Sequence, residues 1–424
     1  MSDKHSFTRR ELIQAMTAIA GSTALAGLTP WISTLHAEEA SGAANNKVNI
    51  GIIGPGSRGQ YLMHHLLDIR GINIVALCDD YKPNLDKAIE MTGGKATAYT
   101  DYRKMLEQKD IDGVIITTPL HLHAQMCLDC FAAGKHVFCE KALTKTVAEA
   151  HSLTKAQKES GLILQTGHQR IFDIRYLKAF EEIKSGKLGK ITQIRAYWHR
   201  NNNWRRHVPS PELERKINWR LYREYSLGLM TELASHHLQV ANWFLGAMPI
   251  SARGCGSINY WQDGREVYDN VNVVYEYPGG VHFVYDSLIS NKHYGLEIQV
   301  MGEKGTYEME LGKFYSENPP APSGIHQLIN DIEHNIFDPL PIGGASWVPE
   351  TISKYKGDWI VNKRPKDIPN CDRLELESFA ETIRDGKPIP GMVEHGIDAA
   401  IATIMGDEAM IRNEIIHITK EMQA

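Results

Sequence analysis

The sequence has few cysteines, little excess of either charge and no long run of strongly apolar residues. Six cysteines at irregular spacing are too few for a disulfide scaffold. A net charge of −5 gives no electrostatic reason to expect a nucleic acid or an anionic membrane as partner. The sequence has no HExxH motif and no aspartate-rich loop, so we expect no metal. A length of 424 residues exceeds one typical domain and predicts two.

The N-terminal segment is typical of an export signal. Arg9 and Arg10 precede an uncharged stretch from Leu12 to Leu35 that is rich in small and hydroxyl residues. The stretch ends in a sequence that suits signal peptidase cleavage after Ala37. A twin-arginine pair before such a weakly apolar stretch resembles a Tat signal.

We therefore expect residues 1–37 to be a Tat-type signal peptide and residues 38–46 a linker. The mature protein would then be periplasmic, with no stable insertion in the membrane. Two other interpretations are an uncleaved membrane anchor and an accidental Arg-Arg pair. An anchor needs about 20 predominantly apolar residues, and here Pro30 and several glycines dilute the run.

A strand and a glycine-rich turn follow at once. Residues 48–53 predict a short buried strand, and GPGSRG at residues 54–59 leads into a helical run. In such a GxGxxG motif the first glycine permits the tight turn and the second lets the backbone approach a pyrophosphate. The third allows close packing, and the helix N-terminus offers free N–H groups to the phosphates. The predicted cofactor contacts in this turn are Gly54, Gly56, Ser57, Arg58 and Gly59.

An acidic residue follows at the spacing expected for a dinucleotide site. The predicted second strand, residues 72–78, ends in Asp79, twenty residues beyond Gly59. A carboxylate there accepts hydrogen bonds from the ribose hydroxyls and repels a 2′-phosphate, so NAD is favoured over NADP. Asp80 could share this role or replace Asp79 in it.

Strands and helices continue to alternate, which predicts a parallel, doubly wound sheet. Ligands bind at the carboxyl ends of the strands in such sheets. The polar side chains and the proline expected at those ends are Thr118, Pro119, His123, Glu140 and Lys141.

Several motifs now resemble the glucose–fructose oxidoreductase / inositol dehydrogenase / MocA (Gfo/Idh/MocA) family. They are GIIGPGSRG, ALCDD, TTPLHLH, CEKAL and GHQR. The usual family motif after the fifth strand is Glu-Lys-Pro, and here Ala142 replaces the proline while Lys141 is intact. The resemblance implies an NAD-binding Rossmann domain, which we assign to residues 47–167.

The second half, residues 168–424, is predicted to be a substrate-binding and oligomerisation domain with a loop-rich insertion at residues 312–370. Long segments that alternate apolar and polar side chains predict a largely antiparallel open sheet. A helix is expected over residues 228–244, with Glu232 and His236 four residues apart on one face.

The resemblance continues through LMTELASHHLQVANWFLG. It implies that Lys141, Glu232 and His236 correspond to the Lys, Asp and His that surround the substrate alcohol. Two departures are Glu232, where Asp is commoner, and Gln239, where a second Asp often follows. A histidine can remove the hydroxyl proton near neutral pH, and we prefer His236 as that base, with His237 as its competitor.

Aromatic residues interleaved with asparagine and arginine follow residue 196 and suit a polyhydroxylated ring. The same pattern occurs in single-stranded nucleic acid sites, which the acidic net charge and the export signal disfavour, and in loops that cover a sheet edge. The predicted substrate contacts are Arg170, Asn203, Trp204, Arg205 and His237.

The function predicted first is hydride transfer between a sugar or glycoside ring hydroxyl and a tightly bound NAD. The alternative is a redox-assisted glycoside hydrolase that oxidises, eliminates and re-reduces. GPGSRG, GHQR and the export signal resemble NAD-dependent α-N-acetylgalactosaminidases, but these carry Tyr-Pro-Thr-His where this chain has Tyr225-Ser226-Leu227-Gly228. A third possibility is a non-catalytic carbohydrate-binding protein. By resemblance alone, we expect a homo-oligomer.

Overall fold

The computed structural model describes residues 47–317 and 356–423. The predicted signal peptide (1–37), the linker (38–46) and the middle of the predicted insertion (318–355) lie outside the described residues. Within the described ranges, none of the helices combines the length and apolar character needed to cross a bilayer.

The first sheet has six parallel strands in the order β3-β2-β1-β4-β5-β6. It confirms the predicted doubly wound sheet, and its central strands are buried because helices cover both faces, whereas the edge strand β3 is largely exposed. The order reverses between β1 and β4, and the crevice at such a switch point is where ligands bind. The strands are β1 (Val48–Ile53), β2 (Ile72–Cys78), β3 (Thr97–Tyr99), β4 (Gly113–Ile116), β5 (His136–Glu140) and β6 (Leu164–Gly167). The helices are α1 (Ser57–Asp68), α2 (Lys82–Met91), α3 (Tyr102–Leu106), α4 (His123–Ala132) and α5 (Val147–Ser160).

The second sheet has nine strands in the order β14-β13-β12-β11-β7-β10-β9-β8-β15. Only β7 and β10 pair in parallel, so the predicted, largely antiparallel sheet is confirmed. Its strands are β7 (Ile191–His199), β8 (Ser251–Ser257), β9 (Asn270–Tyr277), β10 (Val281–Leu288), β11 (Leu296–Gly302), β12 (Gly305–Glu308), β13 (Lys313–Ser316), β14 (Asp358–Trp359) and β15 (Ile416–His417).

Buried and more exposed residues alternate along β9 and β10, because one face of this sheet packs against helices. The apolar cluster beneath that face combines strand residues with residues from four of the helices. The helices of this half are α6 (Ile174–Lys184), α7 (Glu214–Ile217), α8 (Ser235–Leu245), α9 (Cys371–Asp385) and α10 (Met392–Arg412).

Helix α9 packs back onto the first sheet, although it comes late in the chain. Leu376, Phe379 and Ala380 belong to the same apolar cluster as β1 and α1. The Phe379 ring lies edge-on to Phe138 of β5, with 5.8 Å between centroids. The division at residue 167 stays a prediction, but the core of the first unit includes residues from beyond it.

Three features of the secondary structure differ from the sequence prediction. The helix expected over 228–244 begins with a π-helical turn, Met230–Ala234, before α8. The sequence pattern also predicts a last helix from about residue 395 to residue 418. This helix ends at Arg412 because Asn413 adopts a left-handed conformation, and β15 then pairs with β8. The predicted insertion contains β13 and β14, which pair with each other.

We predict that Phe379→Ala destabilises the protein by about 3–5 kcal/mol, since the side chain is 1% exposed and its removal leaves a cavity. Urea denaturation measures the loss. The matched control is Leu67→Ala on α1, because Leu67 is 47% exposed and its truncation changes stability by only about 0.5 kcal/mol. Equal effects of the two substitutions would contradict the placement of α9 in this core.

Candidate active site

A cavity of about 520 Å³ lies where the carboxyl ends of β4 and β5 meet the segment after β7 and the turn before α8. This volume suits a small organic ligand or part of a cofactor. Of the predicted site residues, those lining it are Arg58, Thr118, His123, Glu140, Lys141, Trp204, Arg205, Glu232 and His236.

The three motif glycines of the turn after β1 are needed for different reasons. Gly54 has φ +79°, and a Cβ there would lie 2.7 Å from the Thr118 side chain. A Cβ on Gly59 would lie 2.7 Å from Thr117 Oγ1. At Gly56, by contrast, the nearest protein atom would be 3.6 Å away, so the open space is available to a ligand. No side chain caps the N-terminus of α1, which leaves its N–H groups for phosphate oxygens.

Asp79 and Asp80 are in different environments. The Asp79 carboxylate accepts hydrogen bonds from Tyr81 N at 2.8 Å and Asn84 Nδ2 at 3.2 Å, which fix its orientation. Burial raises the pKa of this carboxyl. Asp80 is exposed and forms an ion pair with Lys216 at 2.8 Å. The geometry therefore favours Asp79 over Asp80 as the acceptor of ribose hydroxyls.

Arg58 is bound by three carboxylates. Its guanidinium contacts Glu140 at 2.6 Å, Asp372 at 2.8 Å and Glu375 at 3.4 Å. Glu140 ends β5, and the other two lie on α9. The predicted cofactor residues Arg58 and Glu140 thus line the cavity as a pair, and their main contacts are with the protein. We interpret them as residues that hold the turn, β5 and α9 together.

His123 joins two of the loops that line the cavity. Its ring nitrogens lie 2.8 Å from Ala142 O and 2.9 Å from Thr118 O. Because both are occupied by carbonyl groups, neither nitrogen is left for the cofactor contact that we predicted. His123 is better described as a positioning residue. Pro119 precedes a short 3₁₀ helix and is not among the residues that line the cavity.

Lys141 and Glu232 meet at the centre of the cavity. The Lys141 ammonium donates to the Glu232 carbonyl oxygen at 3.1 Å and lies 4.0 Å from its carboxylate. Burial lowers the pKa of the Lys141 ammonium, although the neighbouring carboxylates oppose this fall. The Lys141–Ala142 peptide, at the position where the family motif has proline, is cis.

Arg220 and Ser226 complete the surroundings of Glu232. Arg220 Nε donates to the Glu232 carboxylate at 2.8 Å, and Ser226 Oγ donates at 3.3 Å. Burial alone would raise the pKa of Glu232, but Arg220 and Lys141 together lower it. The carboxylate is therefore ionised at neutral pH.

His236 and His237 point to different places. His236 lines the cavity and lies against Trp198, with 5.7 Å between ring centres, and its Nδ1 has no hydrogen-bond partner among the described residues. Burial places the pKa of His236 well below its ordinary value, with Arg170 and Lys141 adding to the effect. His237 is buried between Trp198 and Tyr285 and does not line the cavity. The prediction that His237 binds substrate is not supported by this placement.

Of the other predicted substrate contacts, two lie outside the cavity lining. Arg170 donates to Glu310 at 2.8 Å and lies 5.5 Å from the Trp198 ring centre, so it supports that ring from within the protein. The Asn203 side chain accepts from Arg205 N in a tight turn. Trp204 and Arg205 do line the cavity, but the Arg205 guanidinium is held by Glu214 and Asp263.

Several lining residues were not singled out from the sequence. Trp198 and Arg220 lay within stretches noted only for their aromatic and basic composition, and Gln169 follows the GHQR histidine. They share no local signal, since Trp198 lies within β7, Gln169 follows β6 and Arg220 lies in a short 3₁₀ helix. The missed residues are Thr117, Leu120, Gln169, Trp198, Arg200, Asn202, Arg206, Trp219, Arg220 and Leu233. Among the described residues, no three His, Cys, Asp or Glu side chains are arranged to hold a metal ion.

Two family models match the chain. Residues 48–168 match an oxidoreductase family with an NAD-binding Rossmann fold, and residues 176–308 match a GFO/IDH/MocA C-terminal domain. The chain is similar to scyllo-inositol 2-dehydrogenase (NAD(+)) of Bacillus subtilis strain 168, with 25% identity over 81% of this chain and 88% of that protein. It is also similar to glycosyl hydrolase family 109 protein 1 of Shewanella sp. strain ANA-3, with 27% identity over 54% of this chain and 55% of that protein.

Among solved structures, scyllo-inositol dehydrogenase from Lactobacillus casei, with bound NAD(H) and scyllo-inositol, has the same fold. The TM-score is 0.65 at 19% identity, and the match covers 88% of this chain and 99% of that one.

We predict that Glu232→Gln lowers the pKa of Lys141 further, because the carboxylate favours the ammonium form. The ammonium would lose its proton at a lower pH than in the unaltered protein. Competitive acetylation at a series of pH values, quantified by peptide mass spectrometry, measures this pKa. Glu159→Gln, at an exposed pair on α5, serves as the control and leaves the value unchanged. An unchanged or higher pKa in Glu232→Gln would show that the pair is not coupled.

Proposed function

The chain belongs to the Gfo/Idh/MocA family of oxidoreductases, and from that membership we propose that it transfers hydride between a ring hydroxyl of a sugar or glycoside and NAD. The family assignment confirms the resemblance seen in the motifs, and NAD is the cofactor of its Rossmann domain. The observation that carries the proposal is the meeting of Lys141, Glu232 and His236 in the cavity that the glycine-rich turn borders. The similarity to a cyclic polyol dehydrogenase supports the choice of a ring hydroxyl.

The residues present fit NAD. The open space at Gly56 and the uncapped N-terminus of α1 suit the pyrophosphate, and Asp79 suits the ribose hydroxyls. When bound, NAD⁺ supplies the acceptor for the carbon-bound hydrogen and its electron pair. The chain itself must bind the alcohol, orient its oxygen and accept its proton.

Lys141 is placed to stabilise negative charge on the alcohol oxygen. Its ammonium is held by backbone carbonyl oxygens, so it keeps one position in the cavity. Such a fixed donor stabilises charge that develops on oxygen without reorganising during the reaction. The ionised Glu232, itself held by Arg220, favours the charged form of Lys141, against the effect of burial on its pKa.

His236 is placed to accept the hydroxyl proton. Its low pKa means that the imidazole is unprotonated at neutral pH and has a free lone pair for a hydroxyl group. The neighbouring cations Arg170 and Lys141 disfavour the protonated ring. As hydride leaves the carbon, the hydroxyl group becomes a protonated carbonyl, which is a strong acid. A weak base such as His236 is therefore strong enough to remove its proton.

The walls of the cavity suit a sugar ring. Trp198, Trp204 and Trp219 present indole rings, and Asn202 supplies an amide. The C–H faces of sugars pack on such rings while hydroxyl groups take up the polar donors and acceptors. Tight, directional recognition of a polyhydroxylated substrate follows from this combination.

Redox-assisted glycoside hydrolysis ranks second. The match with a glycosyl hydrolase family 109 protein supports it, but covers only about half of each chain. Gly228 stands where the related galactosaminidases carry a histidine, and it has φ +61° with a Cβ position 2.7 Å from Val267. A side chain therefore does not fit there. A non-catalytic binding protein ranks third, because binding alone would not need the Lys141–Glu232 pair.

We further propose that NAD is held tightly by a crossing segment, residues 200–217. This segment contacts the first unit near both ends of the dinucleotide site. Arg206 donates to Ser57 Oγ at 2.9 Å beside the glycine-rich turn, and Lys216 pairs with Asp80 beside Asp79. Bound NAD would have to displace these contacts before leaving.

Export and assembly are also proposals. The Arg9-Arg10 pair supports a Tat-type signal and a periplasmic location, where a retained cofactor would be useful because free NAD is scarce. Exposed aromatic residues, including Tyr294 and Trp359 near the second sheet, support a homo-oligomer that covers this region.

To test the main proposal, the mature protein is incubated with a panel of sugars and glycosides, and the products are analysed by mass spectrometry alongside NADH absorbance. We expect products that have lost two hydrogen atoms, and roughly a 100-fold or larger loss of rate in Lys141→Ala. Lys82→Ala, at an 80% exposed side chain, should match the unaltered protein.

Other outcomes separate the alternatives. Release of free sugar without net NADH would establish the hydrolase, and sugar binding without either product would leave a binding protein.

The crossing segment yields a separate prediction. The double variant Arg206→Ala, Lys216→Ala should release NAD roughly three- to tenfold faster, because two polar contacts across the cofactor site are lost. Retention of NAD during repeated gel filtration, followed by its absorbance, measures the change. Arg215→Ala is the matched control, since the carboxylates that pair with Arg215 in the described part of the chain, Glu224 and Glu266, both lie in its own half. Equal release from all three proteins would show that this segment does not retain NAD.

A further inference from the structure

The cavity carries more positive than negative charge. Six cationic side chains line it, against the two carboxylates of Glu140 and Glu232. Four of the six contact carboxylates: Arg58, Lys141, Arg205 and Arg220. The other two, Arg200 and Arg206, have no carboxylate within ion-pair distance in the described part of the chain.

Arg206 is accounted for by the cofactor. Its guanidinium donates to Ser57 Oγ, on the first residue of α1, where the pyrophosphate is expected. An arginine beside a diphosphate needs no other partner, because phosphate oxygens accept its N–H groups. That leaves Arg200 as the cation with no assigned counter-charge.

Arg200 lies at the substrate end of the cavity. It directly follows β7, and its backbone N–H donates to Leu288 O at 2.9 Å, so the chain is fixed at this point. Its guanidinium lies 4.9 Å from the centre of the Trp198 ring, the ring that His236 also contacts. The nearby Asp286 is bound by His199 and is not paired with Arg200.

A neutral substrate would leave this guanidinium uncompensated. When a ligand fills the cavity and displaces water, a cation without a counter-ion loses hydration and gains little in return. Burial already lowers the pKa of Arg200, and no described carboxylate offsets it. An oxyanion on the ligand would instead accept bidentate, charge-assisted hydrogen bonds from the planar Arg200 guanidinium.

We propose that the substrate is an anionic sugar whose carboxylate or sulfate group is bound by Arg200. The proposal rests on the proposed sugar oxidoreductase function and specifies its substrate class. The Trp198 ring would carry the sugar face, with the reacting hydroxyl toward His236 and the acidic group toward Arg200.

The test uses matched pairs of methyl hexuronides and methyl hexosides in the gluco, galacto and manno series, together with the corresponding hexoside 6-sulfates. Binding to the NAD-loaded protein is followed by tryptophan fluorescence, and hydride transfer by NADH absorbance and product mass. We expect at least one acidic ligand to bind roughly 10- to 100-fold more tightly than its neutral partner, with the difference shrinking as salt rises. Preference for uronides over sulfates, or the reverse, identifies the acidic group.

Arg200→Gln should weaken binding of the acidic ligand far more than binding of its neutral partner, and Arg200→Lys should restore part of the preference. The control is Arg195→Gln on the same strand, since Arg195 also packs near a ring, that of Tyr197, but lies outside the cavity lining. Equal binding of acidic and neutral partners, or equal weakening of both by Arg200→Gln, would overturn the proposal. Oxidation of neutral sugars alone would refute only this inference, whereas no hydride transfer from any sugar would refute the proposed function.

Discussion

The contact between the Lys141 ammonium and the turn that carries Glu232 brings the two halves of the site together. Lys141 follows β5 of the first sheet, and Glu232 lies in the π-helical turn before α8 of the second half. A buried ion pair is stable only when further hydrogen bonds satisfy both partners, and here backbone carbonyls and Arg220 do so. The same contacts set the protonation of both groups, so position and chemistry are fixed by one network.

A second network, formed by Arg58 and His123, fixes the strand end that carries Lys141. Arg58 links the glycine-rich turn to Glu140, the residue before Lys141, and to Asp372 and Glu375 on α9. His123 ties the loop after β4 to the loop after β5 through two carbonyl groups. Because α9 follows the second sheet in sequence, the late part of the chain secures the strand end from which Lys141 projects. The folding of the first unit is thereby coupled to that of the second.

Local sequence patterns predicted the parts of the site that depend on local structure. The strand, the glycine-rich turn and Asp79 follow from spacing along some thirty residues, and their geometry is as expected. Pairings between distant residues left no such signal. Arg170, at the end of the GHQR motif, was predicted to bind substrate, yet its partner Glu310 lies 140 residues away. His236 and His237 are neighbours in sequence and lie on different sides of α8. The π-helical turn before α8 changes which side chains of this helix face the cavity, and no pattern in the sequence indicated that turn.

The crossing segment connects cofactor retention with substrate recognition. Residues 200–217 supply Trp204 to the cavity wall and also make the contacts at Ser57 and Asp80. Release of NAD would require this segment to move, and its movement would dismantle part of the substrate wall. Under the proposed function, exchange of one sugar for another while NAD stays bound would regenerate the cofactor without its release. The same arrangement suits a compartment without a nicotinamide supply, because each half-reaction restores the cofactor for the next.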